Sequence, residues 1–316
     1  MKLRTEIVIP VPDFQISHHD KILMIGSCFV ENISTRMVDS GFTVDINPFG
    51  ILYNPQSLDK GLSDLLRDKK YAENDLFQHQ GIYHSFSHHS RFSDIDPDIA
   101  LKQINGRIAF SSAFLQQATV LVVTFGTAFV YTLKSSGEVV SNCHKLSDKL
   151  FDHRRLNISE IVDDWSELIV EMRNKNPHLK IVFTVSPIRH WKDGAHENQL
   201  SKSTLLLAID ELIKKNKESY YFPSYEILMD DLRDYRFYAE DMVHPSSQAI
   251  DYIWEKFSQT YFDKKTLNLI REWESIRQAL NHRPFNPESE EYIIFREKAE
   301  RKREDFIKAN PTFNVE

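Results

Sequence analysis

The chain has 316 residues, 41% hydrophobic and 12% aromatic, enough to close a substantial core in one large domain or two small ones. A formal charge of −7 leaves no broad basic field, which argues against nonspecific attraction to nucleic acid or anionic lipid. Two cysteines, Cys28 and Cys143, are too few for a disulfide framework, and no apolar run reaches bilayer-spanning length. The opening MKLRTEIVIPVPDF is broken by two prolines and has no secretory core or cleavage site, so the expected location is cytoplasmic.

Residues 21–25 (KILMI) read as a buried strand, Gly26-Ser27 as a tight turn, and 29–38 as a helix with Val30, Ile33 and Met37 at helical spacing. Segment 40–118 keeps no period: Pro48, Pro55 and a histidine-rich patch interrupt it, and loops with a small subdomain are expected. Further strands are expected at 119–125, 180–185 and 219–222, where β-branched and aromatic residues precede polar punctuation. Helices are expected at 158–174 and 202–216, lengths that suit βαβ crossovers. Residues 246–262 carry Ala249, Ile250, Ile253, Trp254 and Phe257 at helical spacing, with Pro245 suited to the first helical position. The alternation implies a mainly parallel sheet covered by helices on both faces, a three-layer α/β/α sandwich over residues 1–263. Residues 264–316 read as a helical extension: one helix to about 280, a turn at NHRPFNP, and a charge-dense last helix.

A serine hydroxyl attacks poorly unless a histidine takes its proton and a third group orients that histidine. Ser27, at a strand's carboxyl end and a helix start, is a candidate nucleophile, and Asp241 and His244 form a D-x-x-H pair entering a C-terminal helix. Open α/β sheets bind their ligands at that edge.

Eight separated motifs carry a resemblance. They read GSCFV (26–30), NPFGILYNP (47–55), YHSFSHHSRFS (83–93), FGTAFVY (125–131), NCHK (142–145), SPIRH (186–190), YFPSYE (221–226) and LRDYRFYAEDMVHPS (232–246). Over about residues 20–260 the sequence resembles the GSCFA-domain proteins, a largely bacterial group related to the SGNH (GDSL-like) hydrolases. The resemblance implies a flavodoxin-like sheet and a serine ester hydrolase or acyl transferase acting on an O-acyl ester, with a carbohydrate ester as the first substrate class to test. It implies no cofactor and no metal. Ser27, Asp241 and His244 carry over as the triad. Gly50 stands for the oxyanion glycine, its amide joining that of Ser27, and Gly126-Thr127 occupies the place of the third block. The asparagine expected there is absent, with Asn54 and Asn142 as substitutes.

Each signal has a second reading. Ser27 serves equally as the cap of the following helix, and Cys28 is a rival nucleophile, since thiolates at helix N-termini are activated. Asp241 and His244 are also consistent with solvated loop residues. His79, His84, His88 and His89 suit a metal, a cleft lining or an ordinary polar loop, and His88 is carried forward as a substrate-cleft residue. Arg189 and His190, after Ser186-Pro187, either contact substrate or belong to an ion-paired surface loop. The aromatics between Tyr220 and Tyr238 read as core before sugar platform. The missing asparagine motivates an alternative function, a catalytically weak ligand-binding protein on the same fold. A third reading makes the C-terminal helices an assembly device for a homo-oligomer.

Overall fold

A computed structural model describes residues 5–315; residues 1–4, where the leader reading begins, and Glu316 lie outside that range. Strand β1 (Lys21–Gly26) leads after one residue into α1 (Cys28–Asp39), and β2 (Thr43–Ile46) returns beside it. Then come α2 (Pro55–Leu66), the hairpin of β3 (Phe77–His79) and β4 (Ile82–His84), α3 (Pro97–Leu115) and β5 (Val120–Phe125). A three-stranded antiparallel meander follows: β6 (Phe129–Leu133), β7 (Val139–Val140) and β8 (Phe151–Arg155). The chain continues through α4 (Ile158–Lys175), β9 (Lys180–Val185), α5 (Gly194–Lys215), β10 (Ser219–Phe222) and the single turn α6 (Ser224–Glu226). Helices α7 (Ser247–Tyr261), α8 (Lys264–Leu280) and α9 (Glu290–Ala309) end it.

The main sheet runs β10-β9-β5-β1-β2, every pair parallel. From β1 the chain steps outward to β2, then crosses back to β5, so the strand order reverses between β1 and β5. Loops leaving the carboxyl ends of those two strands diverge there and leave a crevice.

Strand periodicity sorts the core into two layers. Leu23, Ile25, Leu121, Val123, Phe125, Ile181 and Phe183 face one side, against Leu58, Leu62, Ile161, Trp165, Ile169, Leu205 and Ile209 from α2, α4 and α5. Ile22, Met24, Val120, Val122 and Val182 face the other, against Phe29, Ile33 and Met37 of α1 and Ile253, Phe257 and Tyr261 of α7. The fold is thus the three-layer α/β/α sandwich that the alternation implied.

Several expectations are corrected. Segment 40–118 returns a full strand, β2, to the main sheet and contributes α2 and α3 to the layers; its prolines start helices, Pro55 and Pro97 each standing at a first-turn position. Helix α5 begins eight residues before position 202, at Gly194. Pro245 is not helical: Ser246 caps α7, its Oγ accepting the Ala249 amide at 3.3 Å, while Pro245 bridges to Tyr238. The C-terminal helical extension is present as expected, and it packs on the main body. Ile270 of α8 joins the α1/α7 core, and Trp273, Ile276, Phe306 and Phe313 form a small core of their own. Among the described residues no helix is long and apolar enough to cross a membrane.

Candidate active site

The turn after β1 is built around Gly26. Its φ of +148° disfavours any side chain, and a Cβ there would stand 2.3 Å from the Thr124 carbonyl oxygen on β5. The Gly26 amide donates to Asn47 Oδ1 at 2.9 Å and its carbonyl accepts from Leu52 N at 3.0 Å, which ties the turn to the loop after β2. Ser27 occupies the N-cap of α1 with extended backbone, yet its hydroxyl caps nothing. The side chain is buried, and Oγ finds no hydrogen-bond partner among the described residues. Cys28, the first residue of α1, is half-buried and opens onto a cleft of about 530 Å³.

His244 reaches that cleft from the loop before α7, with Asp241 behind it. Asp241 Oδ1 accepts the backbone amides of Val243 and His244, both at 2.9 Å, a side-chain turn that folds the loop back on itself. Met242, between them, takes a left-handed φ of 57°. This folding sets Asp241 Oδ2 against His244 Nδ1 at 2.5 Å. The two amides, that of His244 first, and then the imidazole hold the Asp241 carboxyl down to about 2. With Nδ1–H donating to a carboxylate, Nε2 carries the free lone pair. Nε2 faces Cys28 Sγ at 3.9 Å. The hydroxyl expected to meet the imidazole therefore does not; the neighbouring thiol does, because residues 27 and 28 of a helix start point about a third of a turn apart.

The cleft is lined by Cys28, Tyr53, Asn54, His89, Thr127, Asn142, Arg189, His190 and His244, among others. The expected oxyanion donors fare unevenly. The Gly50 amide donates to Asn47 O at 2.8 Å, and the amides of Gly126 and Thr127 both donate to Tyr53 O, at 2.7 and 3.0 Å. All three are engaged within the scaffold and are not available to a ligand. Gly126 instead makes space: a Cβ there would sit 3.0 Å from Tyr53 O and 3.4 Å from both Ser27 Cβ and His190 Nε2. Asn54 caps α2 through Oδ1, which accepts Ser57 N at 2.8 Å, so Nδ2 is the group it has left for the cleft. Asn142 Oδ1 accepts His144 N, and Thr127 Oγ1 pairs with Ser201 Oγ at 3.1 Å.

His88 is not a cleft residue. It is 1% exposed, bonded to Ser85 Oγ at 2.9 Å and packed on Phe49, Tyr71 and Phe92, and burial pushes its imidazole down to about 3. His84 bonds Ser93 Oγ and His89 caps Arg91 N, so the histidine-rich patch disperses among separate partners. The Arg189 guanidinium lies over the rings of Trp191 and Tyr238, 5.1 and 5.5 Å from their centroids. His190 stands edge-on to Tyr53, and its Nε2 is buried without a partner among the described residues; burial, then the nearby Lys202, lowers it to about 4.

Lys202 is a buried amine next to these residues that periodicity obscured. It sits on the apolar stripe of α5 with Leu205, Ile209 and Leu212, and a lysine on such a stripe was the available signal. Wholly buried, Nζ donates to Gly126 O and Ser186 O, both at 2.7 Å, tying the carboxyl ends of β5 and β9 together beneath the cleft. Burial lowers its amine to about 7.

Solved structures similar to this chain include a family 3 carbohydrate esterase of Clostridium thermocellum, at 13% identity and TM-score 0.34, over 80% of this chain and 97% of that one. Another is a carbohydrate esterase family 3 protein from Talaromyces cellulolyticus, at 10% identity and TM-score 0.35, over 80% and 99%. A third is an acetyl xylan esterase from Butyrivibrio proteoclasticus, at 10% identity and TM-score 0.38, over 79% and 64%. No curated protein matches the chain. The model of the GSCFA domain protein, C-terminal domain, matches residues 273–316, and that of the GSCFA family matches residues 21–257. With three quarters of its length inside that match, the chain belongs to the GSCFA family.

Proposed function

We propose that this chain cleaves or transfers an acyl group from an ester, with His244 as general base and Asp241 as its orienting partner. The observation that carries the reading is the Asp241 Oδ2 to His244 Nδ1 bond, which leaves Nε2 aimed at the β1–α1 turn inside a cleft at the sheet's carboxyl edge. An imidazole held in one tautomer by a carboxylate accepts a proton from a nucleophile and returns it to a leaving alkoxide. The first amides of α1 and Asn54 Nδ2 are the donors proposed for the oxyanion, in place of the engaged amides of Gly50, Gly126 and Thr127. The substrate would be a small or carbohydrate ester; Tyr53, Phe129 and Trp191 on the cleft wall suit a ring-bearing alcohol, with Arg189 and His190 beside its carbonyl.

Hydrolysis of p-nitrophenyl acetate by the full-length protein tests this. His244→Ala is expected to lower kcat/KM about 100-fold or more, the size of a lost general base, and Asp241→Asn nearly as much. Equal turnover by wild type and His244→Ala rejects the reading. It then favours the binding protein on the same fold, which the engaged amides support, and whose ligand would protect the cleft without being consumed.

A further inference from the structure

We infer that the nucleophile of this site is the Cys28 thiol and not the Ser27 hydroxyl, so that the acyl group passes through a thioester. The inference rests on the acyl-transfer reading above and deepens it.

Three observations converge. First, Cys28 Sγ is the atom opposite His244 Nε2, at 3.9 Å, and Nε2 is the ring nitrogen that the Asp241 contact leaves as acceptor. An S–H donor and this acceptor complete a Cys-His-Asp relay, long as such contacts are before substrate tightens them. Second, Ser27 is turned away. Its side chain is 1% exposed, its Cβ packs beside Gly126, and Oγ is buried with neither His244 nor any helix amide as partner among the described residues. A hydroxyl in that position meets no carbonyl without unwinding the turn that Gly26 fixes. Third, Cys28 lines the cleft together with Asn54, Arg189, His190 and His244, where a substrate carbonyl can reach it.

The thiol needs the base. Burial pushes the Cys28 thiol up and outweighs the backbone amides of Cys28 and Phe29, which favour the thiolate. The thiol keeps its proton until attack, when the base takes it. Sγ bonds to the acyl carbon, the S–H proton passes to Nε2, and the carbonyl π pair moves onto oxygen. Collapse of the tetrahedral adduct breaks the acyl carbon to alkoxy oxygen bond, and the alkoxide leaves with the proton from Nε2. Water, or a second alcohol or amine, then gives a proton to Nε2 and attacks the thioester carbon. Its collapse expels the Cys28 thiolate, which recovers that proton. No oxidant, metal or further reactant enters.

The test uses the full-length Cys143→Ser protein, leaving one thiol, with p-nitrophenyl acetate as acyl donor and mass spectrometry of the peptide spanning residues 22–36. The expected result is an acetyl group on Cys28, released by neutral hydroxylamine as thioesters are and oxygen esters are not. Cys28→Ala should lose at least about 100-fold in turnover, whereas Ser27→Ala should stay within about tenfold of wild type. Cys28→Ser, closest in shape, controls for folding through its urea midpoint and should keep the fold with most activity gone. An acetyl group on Ser27, or loss in Ser27→Ala with full turnover in Cys28→Ala, overturns the thiol assignment. In that case His244→Ala still abolishes turnover and the acyl-transfer reading stands. If His244→Ala also turns over normally, the failure is that of the reading beneath it.

Discussion

Lys202 Nζ faces two carbonyl oxygens and the Tyr225 ring from a wholly buried position. A neutral amine has two hydrogens for those two acceptors, whereas an ammonium has a third that must find a partner or go unsatisfied. The lowering to about 7, against 10.5 for a solvated lysine, agrees with that count. Between those values the unfolded chain binds the proton that the folded chain has released, so folding is increasingly favoured as pH rises. Wild-type stability should therefore gain on the order of 2 kcal/mol from this group between pH 7 and 9. Lys202→Met should be less stable at both pH values, with two carbonyls left unpaired, and should lose that gain. Urea unfolding at the two pH values measures the difference, and an unchanged gain in Lys202→Met would show that the charge lies elsewhere.

At the scale of elements, the site depends on two short connections. One is the β1–α1 turn, where Gly26 permits the chain to reverse under Thr124; Gly26→Ala combines a left-handed φ with a 2.3 Å overlap on backbone oxygen. The expected cost is about 3 kcal/mol in the urea midpoint, with loss of turnover at temperatures where the variant stays folded. A variant as stable and active as wild type would mean that the turn adapts by another route. The other connection is the loop from Asp234 to Ser246. Asp234 and Ser246 cap the elements at its ends, a bridge joins Tyr238 to Pro245, and Asp241 folds its centre. The base is thus fixed mostly by hydrogen bonds local to the loop, which explains why an exposed pair keeps one geometry.

At the scale of the whole molecule, burial holds several of the described histidines below their ordinary value, three of them strongly. His88 is held at about 3, His144 at about 4 and His190 at about 4, in each case chiefly by burial. Their unfolded value is 6.5, so the stability they permit is complete above that pH and is lost as pH falls toward 4. Each contributes a slope on the order of 1 kcal/mol per pH unit in this window. The urea midpoint should drop clearly between pH 7 and pH 5, and His88→Leu should show a shallower drop. Equal drops in the two proteins would remove His88 from the account. The C-terminal helices pack on the same body: Ile270 enters the core of α1 and α7, and Asn314 N donates to Gly41 O at 2.8 Å.

The sequence by itself determined the layers, the parallel sheet and four of its five strands, β2 being the one that segment 40–118 concealed. Those features follow from periodicity along the chain: runs such as 119–125 and 180–185 admit few other structures, and the D-x-x-H spacing places one carboxylate beside one imidazole through a turn local to four residues. It also determined the family, through motifs whose order survives without any knowledge of contacts. What the tertiary structure alone decided was which atoms meet. Whether residue 27 or 28 faces His244 turns on the rotation of α1 against the loop before α7, a contact between residues 216 positions apart in the chain. The availability of Gly50, Gly126 and Thr127 depended on where the Asn47 and Tyr53 carbonyls came to rest, and the burial of His88 on three rings converging from separate segments. Periodicity reports which face of an element is buried; it carries no record of the side chain that the opposite element presents there.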